Sequence, residues 1–351
     1  MKYFLNEDNL KFYKDPSSFD KHTDKETLKY AIGANMYMPA TKKGIFDKLI
    51  KNEFNDVGAI TLCMEDAIEE SMLPEAQISA IDLLEHLHDT LLLTPNLNIP
   101  LIFIRVRNVE QFRTFSKMLK KKHLEVLTGF NFPKFNSKNG DEYFDILKNL
   151  SEKNDEVLYG MPIIEDEDVI YKETRFYELE KIQNILLKYQ KYVLNIRVGG
   201  TDFSSCYGLR RDVKNTIYDI KVVADCLMDI LNFFLRKNCN YVVSGPVWEY
   251  FSWDENSDEV KGLKKELRLD IQNGFQGKTI IHPSQINFVN KEYIVNYDEY
   301  MDALNIINSD GGVFKGSAGN RMNEVSPHKN WAKKIIARAN VFGVYDKDAK
   351  C

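Results

Sequence analysis

The chain repeats one pattern along most of its length, a short and nearly continuous apolar run followed by a longer amphipathic segment. Apolar runs without polar alternation are typical of parallel strands that are covered on both faces. The runs lie at 35–40, 57–65, 100–107, 129–135, 157–165, 192–200, 241–248 and 277–283. Eight strands joined by helical connections in about 250 residues favour a closed (β/α)8 barrel over an open sheet. We therefore predict an α/β protein built on a TIM barrel.

The segments between these runs have the spacing of amphipathic helices. Between the sixth and seventh runs, for example, Val223, Leu227, Ile230 and Leu231 recur on one helical face. The predicted helices lie at 43–52, 70–92, 109–124, 141–152, 172–190, 216–237 and 260–273.

After the eighth run the pattern becomes helical, at 291–307 and 328–340, on either side of a glycine-rich turn at 310–320. The whole pattern divides the chain into three parts. They are a lead-in at 1–30, a catalytic TIM barrel at 31–290 and a C-terminal helical extension at 291–351.

The composition excludes several classes of protein. Of the 351 residues 44% are hydrophobic, which is enough for a large core, and a net charge of −5 offers no basic surface for nucleic acid or anionic lipid. The apolar runs are shorter than the roughly 18 residues that a membrane span needs. The cysteines are scattered without a CxxC pair, which indicates reduced thiols in a cytoplasmic protein. They are Cys63, Cys206, Cys226, Cys239 and Cys351.

Polar residues at the C-terminal ends of the predicted strands are the candidate site residues, because the loops there converge on one cavity in a barrel. They are Glu65, Asp66, Arg105, Lys134, Glu165, Gly200, Thr201, Asp202 and His282. Among them, we expect Lys134, Gly200, Thr201 and His282 to contact a substrate. The GFQGK segment at 274–278 precedes its strand, and we expect it to form a structural turn at the opposite end of the barrel.

Two carboxylates, Glu165 and Asp202, end the adjacent fifth and sixth strands. Neighbouring strands lie roughly 4.8 Å apart, so both side chains can reach one hard cation above the barrel. Mg²⁺ is commonly held by one or two carboxylates and keeps other positions open for substrate oxygens. The alternative is that the two residues only cap the helices that follow their strands.

Arg105 is the candidate cation of the site. A fixed guanidinium at a strand end can bind a carboxylate or stabilise a developing oxyanion. Alternatively, it forms a salt bridge with Glu65 or Asp66 that closes the end of the barrel, and both roles are compatible.

Seven motifs in order along the chain resemble one known family. NGFQGKTIIHPSQINFVN at 273–290 resembles the end of the barrel in the citrate lyase β-subunit-like (HpcH/HpaI aldolase) superfamily. MYMPA, LCMEDAIEE, FIRVRN, FPKF, PIIED and VGGTDF resemble its preceding strand motifs. The loop TDFSSCYGLRR and the chain length are most similar to the TIM-barrel C–C bond lyase subgroup.

This resemblance implies an activity and roles for the site residues. It implies that Glu165 and Asp202 bind Mg²⁺, that Arg105 contacts a substrate oxygen, and that Glu65 and Asp66 orient Arg105 and the metal's waters. The implied reaction is cleavage or formation of a carbon–carbon bond next to a carboxylate, through an enolate that the metal and Arg105 stabilise. The implied substrate is a small carboxylate, and homo-oligomerisation is expected.

The sequence departs from the family pattern at two places. Relatives that cleave acyl-CoA substrates use an acid in the C-terminal segment, often from a neighbouring subunit, and only Glu324 loosely matches its motif. Relatives that use CoA have Arg-Ser where this chain has Gly33 and Ala34, which puts a CoA thioester in doubt. Arg210 and Arg211 are candidates for binding a phosphate or a second carboxylate, or they form a solvated charge cluster.

Two other functions stay open at this point. One is an acyl-CoA ester hydrolase that uses the same metal site for attack by water. The other is a non-catalytic barrel subunit of an assembly, which a barrel plugged by the loop at 203–215 would favour.

Overall fold

The computed structural model describes residues 1–7, 9–54 and 56–348. The strands are β1 (Phe12–Lys14), β2 (Ala34–Pro39), β3 (Ala59–Cys63), β4 (Leu101–Arg105), β5 (Leu127–Phe132), β6 (Tyr159–Ile164), β7 (Ile196–Val198), β8 (Val243–Ser244), β9 (Lys278–Ile280), β10 (Val313–Lys315), β11 (Met322–Glu324) and β12 (Val344–Tyr345). The α-helices before the last barrel strand are α1 (Lys25–Ala31), α2 (Ile45–Ile50), α3 (Leu73–Leu93), α4 (Val109–Ser116), α5 (Lys121–Val126), α6 (Gly140–Asn154), α7 (Glu167–Ile170), α8 (Lys172–Lys188), α9 (Gly200–Ser205), α10 (Lys221–Phe234) and α11 (Asp258–Asn273). Those after it are α12 (Ile286–Lys291), α13 (Tyr297–Asn308) and α14 (Val325–Phe342), and short 3-10 helices cover Glu70–Met72, Ile217–Asp219 and Pro283–Gln285.

Strands β2 to β9 form an eight-stranded parallel sheet in chain order. A bridge between Gly245 and Lys278 joins β8 to β9 and closes the sheet on itself. The predicted (β/α)8 barrel is therefore confirmed. We call the C-terminal ends of these strands the mouth of the barrel and their N-terminal ends the bottom.

The helices cover the barrel with the apolar faces that the sequence pattern predicts. In α10, Val223, Leu227, Ile230 and Leu231 are all buried. On the other side of the barrel, the Phe112 ring of α4 packs on Phe130 of β5, with 4.6 Å between the ring centres. This packing stabilises the fold because each fully buried aromatic side chain removes a large apolar area from water.

The N-terminal segment and the C-terminal extension pack together at the bottom of the barrel. Strand β1 pairs antiparallel with β12, and the Phe342 ring of α14 stacks on Tyr3 at 4.6 Å. Helices α13 and α14 enclose a small apolar core of their own. Its buried members are Val295, Tyr300, Ala303, Ile306, Ala332, Ile335, Ala339 and Val344.

The extension differs in detail from the sequence prediction. The helix predicted at 291–307 is divided between α12 and α13, and the turn at 310–320 contains β10, which pairs with β11 in a hairpin. The helix predicted at 328–340 lies within α14. The domain boundaries after residues 30 and 290 stay predictions.

The GFQGK segment is a turn at the bottom of the barrel. Gly277 has φ +85, and a Cβ there would lie 2.9 Å from Ser244 Oγ. The turn therefore needs glycine for its conformation and for its close packing.

Directly after this turn, the buried Lys278 ammonium lies 2.9 Å from Glu266 Oε1 and 2.6 Å from Asp270 Oδ2. Both carboxylates are fully buried in α11. This ion cluster joins α11 to the barrel wall.

Other sequence predictions concern cysteines and membranes. Cys63, Cys206, Cys226 and Cys239 are free thiols, and Cys351 lies outside the described residues. Within the described part of the chain, no helix has both the length and the apolar character needed to cross a bilayer. The cytoplasmic location stays a prediction.

Candidate active site

A cavity of about 450 Å³ opens at the mouth of the barrel. Its lining comes from the ends of β2, β3, β4, β6, β7 and β9 and from the first turn of α9. Polar lining residues include Tyr37, Asp66, Arg105, Glu165, Arg197, Thr201, Asp202 and Thr279. The structure thus brings most of the predicted strand-end residues to one place.

Arg105 ends β4 and is the hub of an acidic cluster at the mouth. Its Nη2 atom lies 2.5 Å from Glu65 Oε2, 3.2 Å from Glu165 Oε1 and 3.4 Å from Asp66 Oδ2. Burial lowers the pKa of Arg105, but the facing Glu165, Cys63 and Glu65 outweigh that effect and raise it overall. Arg105 is therefore always charged, and Glu65 and Glu165 fix its position in the cavity wall.

Glu165 is the most deeply buried carboxylate of this cluster. Its Oε1 accepts a hydrogen bond of 2.9 Å from the backbone N–H of Lys134. Burial and the neighbouring Asp202 raise its pKa to about 7, although Arg105 and Lys134 act in the opposite direction. A carboxylate in this state gains stability from any further positive charge that reaches it.

Gly199 makes room for the Glu165 side chain. A Cβ atom at Gly199 would lie 2.4 Å from both Cβ and Oε2 of Glu165. Such a distance is far below van der Waals contact, so only glycine fits between β7 and this carboxylate.

Lys134 places a positive charge between Glu165 and Asp202. Its ammonium contacts Asp202 Oδ1 and lies 3.8 Å from Glu165 Oε1 and 3.9 Å from Asp66 Oδ2. Burial lowers the pKa of Lys134, but Glu165 and Asp202 raise it overall. The ammonium marks the point at which the protein stabilises a cation.

This donor set fits Mg²⁺, because two carboxylates facing one point are ligands of the kind that this ion prefers. Across residues 1–7, 9–54 and 56–348, no group of three His, Cys, Asp or Glu side chains converges on a metal position. Glu165 and Asp202 would therefore hold the ion together with water and substrate oxygens.

The alternative role of Glu165 and Asp202 as helix caps does not agree with the structure. It is Asp166 that caps α7, since its Oδ1 accepts a hydrogen bond of 3.0 Å from Asp168 N. Asp202 lies inside the first turn of α9, and Gly199 is the N-cap residue there.

Gly200 and Thr201 line the cavity as expected, whereas His282 requires a correction. The His282 ring stacks on Phe251 with 4.2 Å between ring centres, and its Nδ1 accepts a hydrogen bond of 3.2 Å from Ser284 N. This histidine caps the 3-10 helix Pro283–Gln285, and we no longer assign it to substrate binding.

Arg211 requires a similar correction. Its buried guanidinium lies 2.8 Å from Glu266 Oε2, donates to the Val247 carbonyl and packs on the Trp248 ring. These contacts join the loop after α9 to α11, so the role of Arg211 is structural.

Arg210, in contrast, is largely exposed. Its Nε lies 3.7 Å from Glu249 Oε1, and it lines a second cavity of about 300 Å³ that borders Gly200 and Thr201. Arg210 thus lies beside the mouth and outside the lining of the main cavity.

Glu324 lies at the wrong end of the barrel to act in the cavity of its own chain. It directly precedes α14, whose Trp331 and Arg338 line a cavity together with Val242 and Gln276 at the bottom of the barrel. Glu324 could therefore act only in the cavity of a neighbouring copy, and its part in catalysis stays a prediction.

A polar layer that the apolar pattern of the strands does not predict lies inside the barrel. Asn131 of β5 donates to Tyr37 and to Thr61 from across the barrel, and Arg197 of β7 donates to Thr279 of β9. The available signal was alternation, since polar residues at 35 and 37 or at 195 and 197 share one strand face. The prediction of nearly continuous apolar strands does not include these inward-facing polar residues.

Several solved structures share this fold. The protein CitE from Mycobacterium tuberculosis, solved with magnesium, acetoacetate and coenzyme A, is 19% identical with a TM-score of 0.56, covering 89% of this chain and 99% of that chain. A citrate lyase from Burkholderia xenovorans LB400 is 14% identical with a TM-score of 0.63, covering 88% and 91%. The malate synthase of Haloferax volcanii is 11% identical with a TM-score of 0.55, covering 74% and 72%.

A search of curated protein sequences finds no match to this chain. A family model, described as C–C bond lyase of the TIM-barrel fold, matches residues 26–344. That match extends from α1 to the start of β12 and includes every barrel strand. The chain therefore belongs to the C–C bond lyase family of the TIM-barrel fold.

Proposed function

We propose that the protein is a Mg²⁺-dependent carbon–carbon lyase or aldolase that acts on a small oxo- or hydroxy-acid. The observation that carries this proposal is the meeting of Arg105 with the carboxylates Glu165 and Asp202 in one cavity at the mouth. A cation site beside a fixed guanidinium suits a reaction in which negative charge develops on a carbonyl oxygen.

Each residue of the site has a distinct task in such a reaction. Glu165 and Asp202 would hold the metal ion, and Arg105 would stabilise the negative oxygen of the enolate that forms when the carbon–carbon bond breaks. Glu65 keeps Arg105 in position through the contact of 2.5 Å. Mg²⁺, when bound, supplies Lewis-acid stabilisation of the same developing charge.

The ligands of the similar structures support this assignment. The CitE structure contains magnesium and acetoacetate, which is a small oxo-acid. Within this chain the cavity is open, and its lining contains no residue of the loop at 203–215 among the described residues. An open cavity supports an enzyme over a non-catalytic barrel subunit.

The decisive experiment combines metal titration with a product assay. Asp202→Ala should weaken Mg²⁺ binding strongly in calorimetry and abolish cleavage of 2-oxo- and 2-hydroxy-acids. Asp166→Ala is the matched control, because Asp166 also follows β6 but caps α7. Equal Mg²⁺ affinity in the parent and Asp202→Ala would contradict the site, and release of free CoA from a thioester without carbon–carbon cleavage would favour a hydrolase.

We also propose that the protein is a homo-oligomer, as the family resemblance implies. Light scattering would test this, and a monomer would contradict it. Only a second copy could bring Glu324 to the mouth of the barrel.

A further inference from the structure

Arg197 is a buried cation without an anionic partner in the wall of the active-site cavity. Its side chain is 1% exposed, and it lines the same cavity as Arg105, Glu165 and Asp202. Its Nη2 donates to the Thr279 hydroxyl, whereas Nε and Nη1 are buried and donate no hydrogen bond within the described chain.

The other buried basic side chains show how unusual this state is. In the described part of the chain, every other buried lysine or arginine forms an ion pair with a carboxylate. Arg175, for example, is equally buried and lies 2.8 Å from Asp225 and 2.7 Å from Asp229. The neighbours of Arg197 are instead uncharged, the hydroxyl of Thr279 and the side chain of Tyr37, whose ring centre is 5.8 Å from the guanidinium carbon.

An unpaired buried charge is costly to a protein, and such groups are normally paired or used to bind a ligand. Burial lowers the pKa of Arg197, and Tyr37 and Tyr293 offset this effect only in part. Arg197 faces the cavity, so an anion that enters the cavity can pair with its charge. Such pairing would offset the free-energy cost of burying that charge.

The register of the barrel gives the depth of this anion position. Arg197 pairs with Ile163 of β6, and Ile163 stands two residues before Glu165 on the same strand face. Two residues correspond to roughly 7 Å along a strand, so Arg197 lies one layer below the metal ligands. A ligand that spans both layers has two acidic or oxygen-bearing ends and a short carbon chain between them.

Resting on the proposed function, we infer that the substrate is a dicarboxylic oxo- or hydroxy-acid of about four to six carbons, whose far carboxylate binds Arg197 and the Thr279 hydroxyl. A carboxylate matches the single positive charge of one guanidinium. A phosphate dianion would bring excess negative charge into a cavity that already contains Glu165, Asp66 and Asp202. Arg105 already forms ion pairs with three carboxylates. Arg197 is therefore the cation that can bind the far carboxylate of the substrate.

The test compares pairs of acids that differ only in the far carboxylate. With Mg²⁺ present, calorimetry measures the binding affinity of each acid in three pairs. The pairs are oxaloacetate and 2-oxobutanoate, 2-oxoglutarate and 2-oxopentanoate, and 2-oxoadipate and 2-oxohexanoate. We expect one dicarboxylate to bind about ten- to a hundredfold more tightly than its partner, as for a hydrogen bond to a charged group. In Arg197→Met that difference should vanish while the monocarboxylate binds as before.

Protein stability separates this role from a structural one. Arg197→Met should keep or raise the melting temperature, because it removes an unpaired buried charge, whereas Arg175→Met should lower it. Arg210→Met controls for a general loss of positive charge near the mouth. Thr279→Val is a second, milder variant, and it should weaken the binding of the dicarboxylate without changing that of the monocarboxylate.

The outcomes distinguish this inference from the proposed function. In one outcome, both acids of every pair bind only with Mg²⁺, and neither acid binds more tightly than the other. This outcome overturns the Arg197 site alone. A preference for the dicarboxylate that needs no Mg²⁺ and brings no cleavage overturns the proposed lyase and keeps the Arg197 site. Tighter binding of a phosphonate that replaces the far carboxylate of 2-oxoglutarate overturns the choice of a carboxylate.

Discussion

The Nζ atom of Lys134 lies 3.8 Å from Glu165 Oε1, at the point where Glu165 and Asp202 would hold a divalent cation. The ammonium and the metal ion would compete for the same two carboxylates, since both are attracted by the same negative charge. Mg²⁺ held by these two carboxylates would therefore displace the Lys134 ammonium.

Replacing this lysine should strengthen metal binding. We expect Lys134→Met to bind Mg²⁺ roughly tenfold more tightly, which is the size of effect that a nearby competing charge exerts in a partly buried site. Calorimetric titration would measure it. Lys138→Met is the control, because Lys138 pairs with the exposed Asp168 outside the site. Weaker Mg²⁺ binding in Lys134→Met would show that the lysine supports the metal instead of competing with it.

A methyl group at Gly199 should displace the Glu165 side chain and so weaken metal binding. The added Cβ would overlap with Glu165, so Gly199→Ala should lose Mg²⁺ affinity and about 1–3 kcal/mol of unfolding free energy through overpacking. Urea denaturation and metal titration would measure the two effects. Gly311→Ala has open space around its Cβ and should change neither quantity. An unaltered Mg²⁺ affinity in Gly199→Ala would contradict the placement of Glu165 in the site.

The ion cluster around Lys278 should make stability depend on pH. Burial and Glu266 raise the pKa of Asp270 from 3.8 to about 6, although Lys278 acts in the opposite direction. Between these two values the folded protein binds more protons than the unfolded chain, so the contribution of Asp270 to stability falls as pH rises.

Lys278→Met should therefore cost about 3–5 kcal/mol of unfolding free energy at pH 7, because it leaves buried carboxylates without their cation. Without Lys278 the pKa of Asp270 rises further, so the carboxyl is protonated at pH 5 and the loss should be smaller there. Urea denaturation at both values would show this. Lys265 of α11 is an exposed partner of Asp219 in the 3-10 helix Ile217–Asp219, and Lys265→Met should cost less than about 1 kcal/mol at either pH. A loss that grows toward pH 5 would contradict this account.

Glu324→Gln should leave catalytic activity unchanged, since Glu324 lies beyond the bottom of the barrel and its side chain makes no cap for α14. Steady-state kinetics on the substrate found by the acid pairs would measure this. A large fall in kcat, in a variant whose size in light scattering equals that of the parent, would mean that a second copy delivers Glu324 to the mouth.

The residues at the mouth can be predicted from the sequence, because in a parallel barrel it is enough to find where each strand ends. Glu165 directly follows β6 and Asp202 lies in the turn of helix that follows β7, and consecutive parallel strands end on the same side of the barrel. No knowledge of distant contacts was needed to expect the two carboxylates near one another. The same reasoning placed Arg105 beside Glu65, and the structure brings these two side chains together.

The two arginines Arg211 and Arg197 show where such reasoning stops. Arg211 stands in a polar loop and looked solvated, yet Glu266, 55 residues further along the chain, draws it into the interior. Arg197 stands inside an apolar run, which gives no sign that its side chain faces the cavity. Whether a charged side chain is free or paired depends on partners that only the folded chain brings together.

The pairing of β1 with β12 has a consequence for how this chain folds. Lys14 of β1 donates to Asn340 of α14, and these residues are 326 positions apart in sequence. The entropy cost of closing a loop grows only with the logarithm of its length, so the large separation of these residues adds little to the free-energy cost of the contact. Kinetically it comes late, because the two ends meet only once the intervening barrel has brought them within reach. We therefore expect hydrogen exchange to show the β1–β12 ladder as the part of the sheet structure that opens first and closes last.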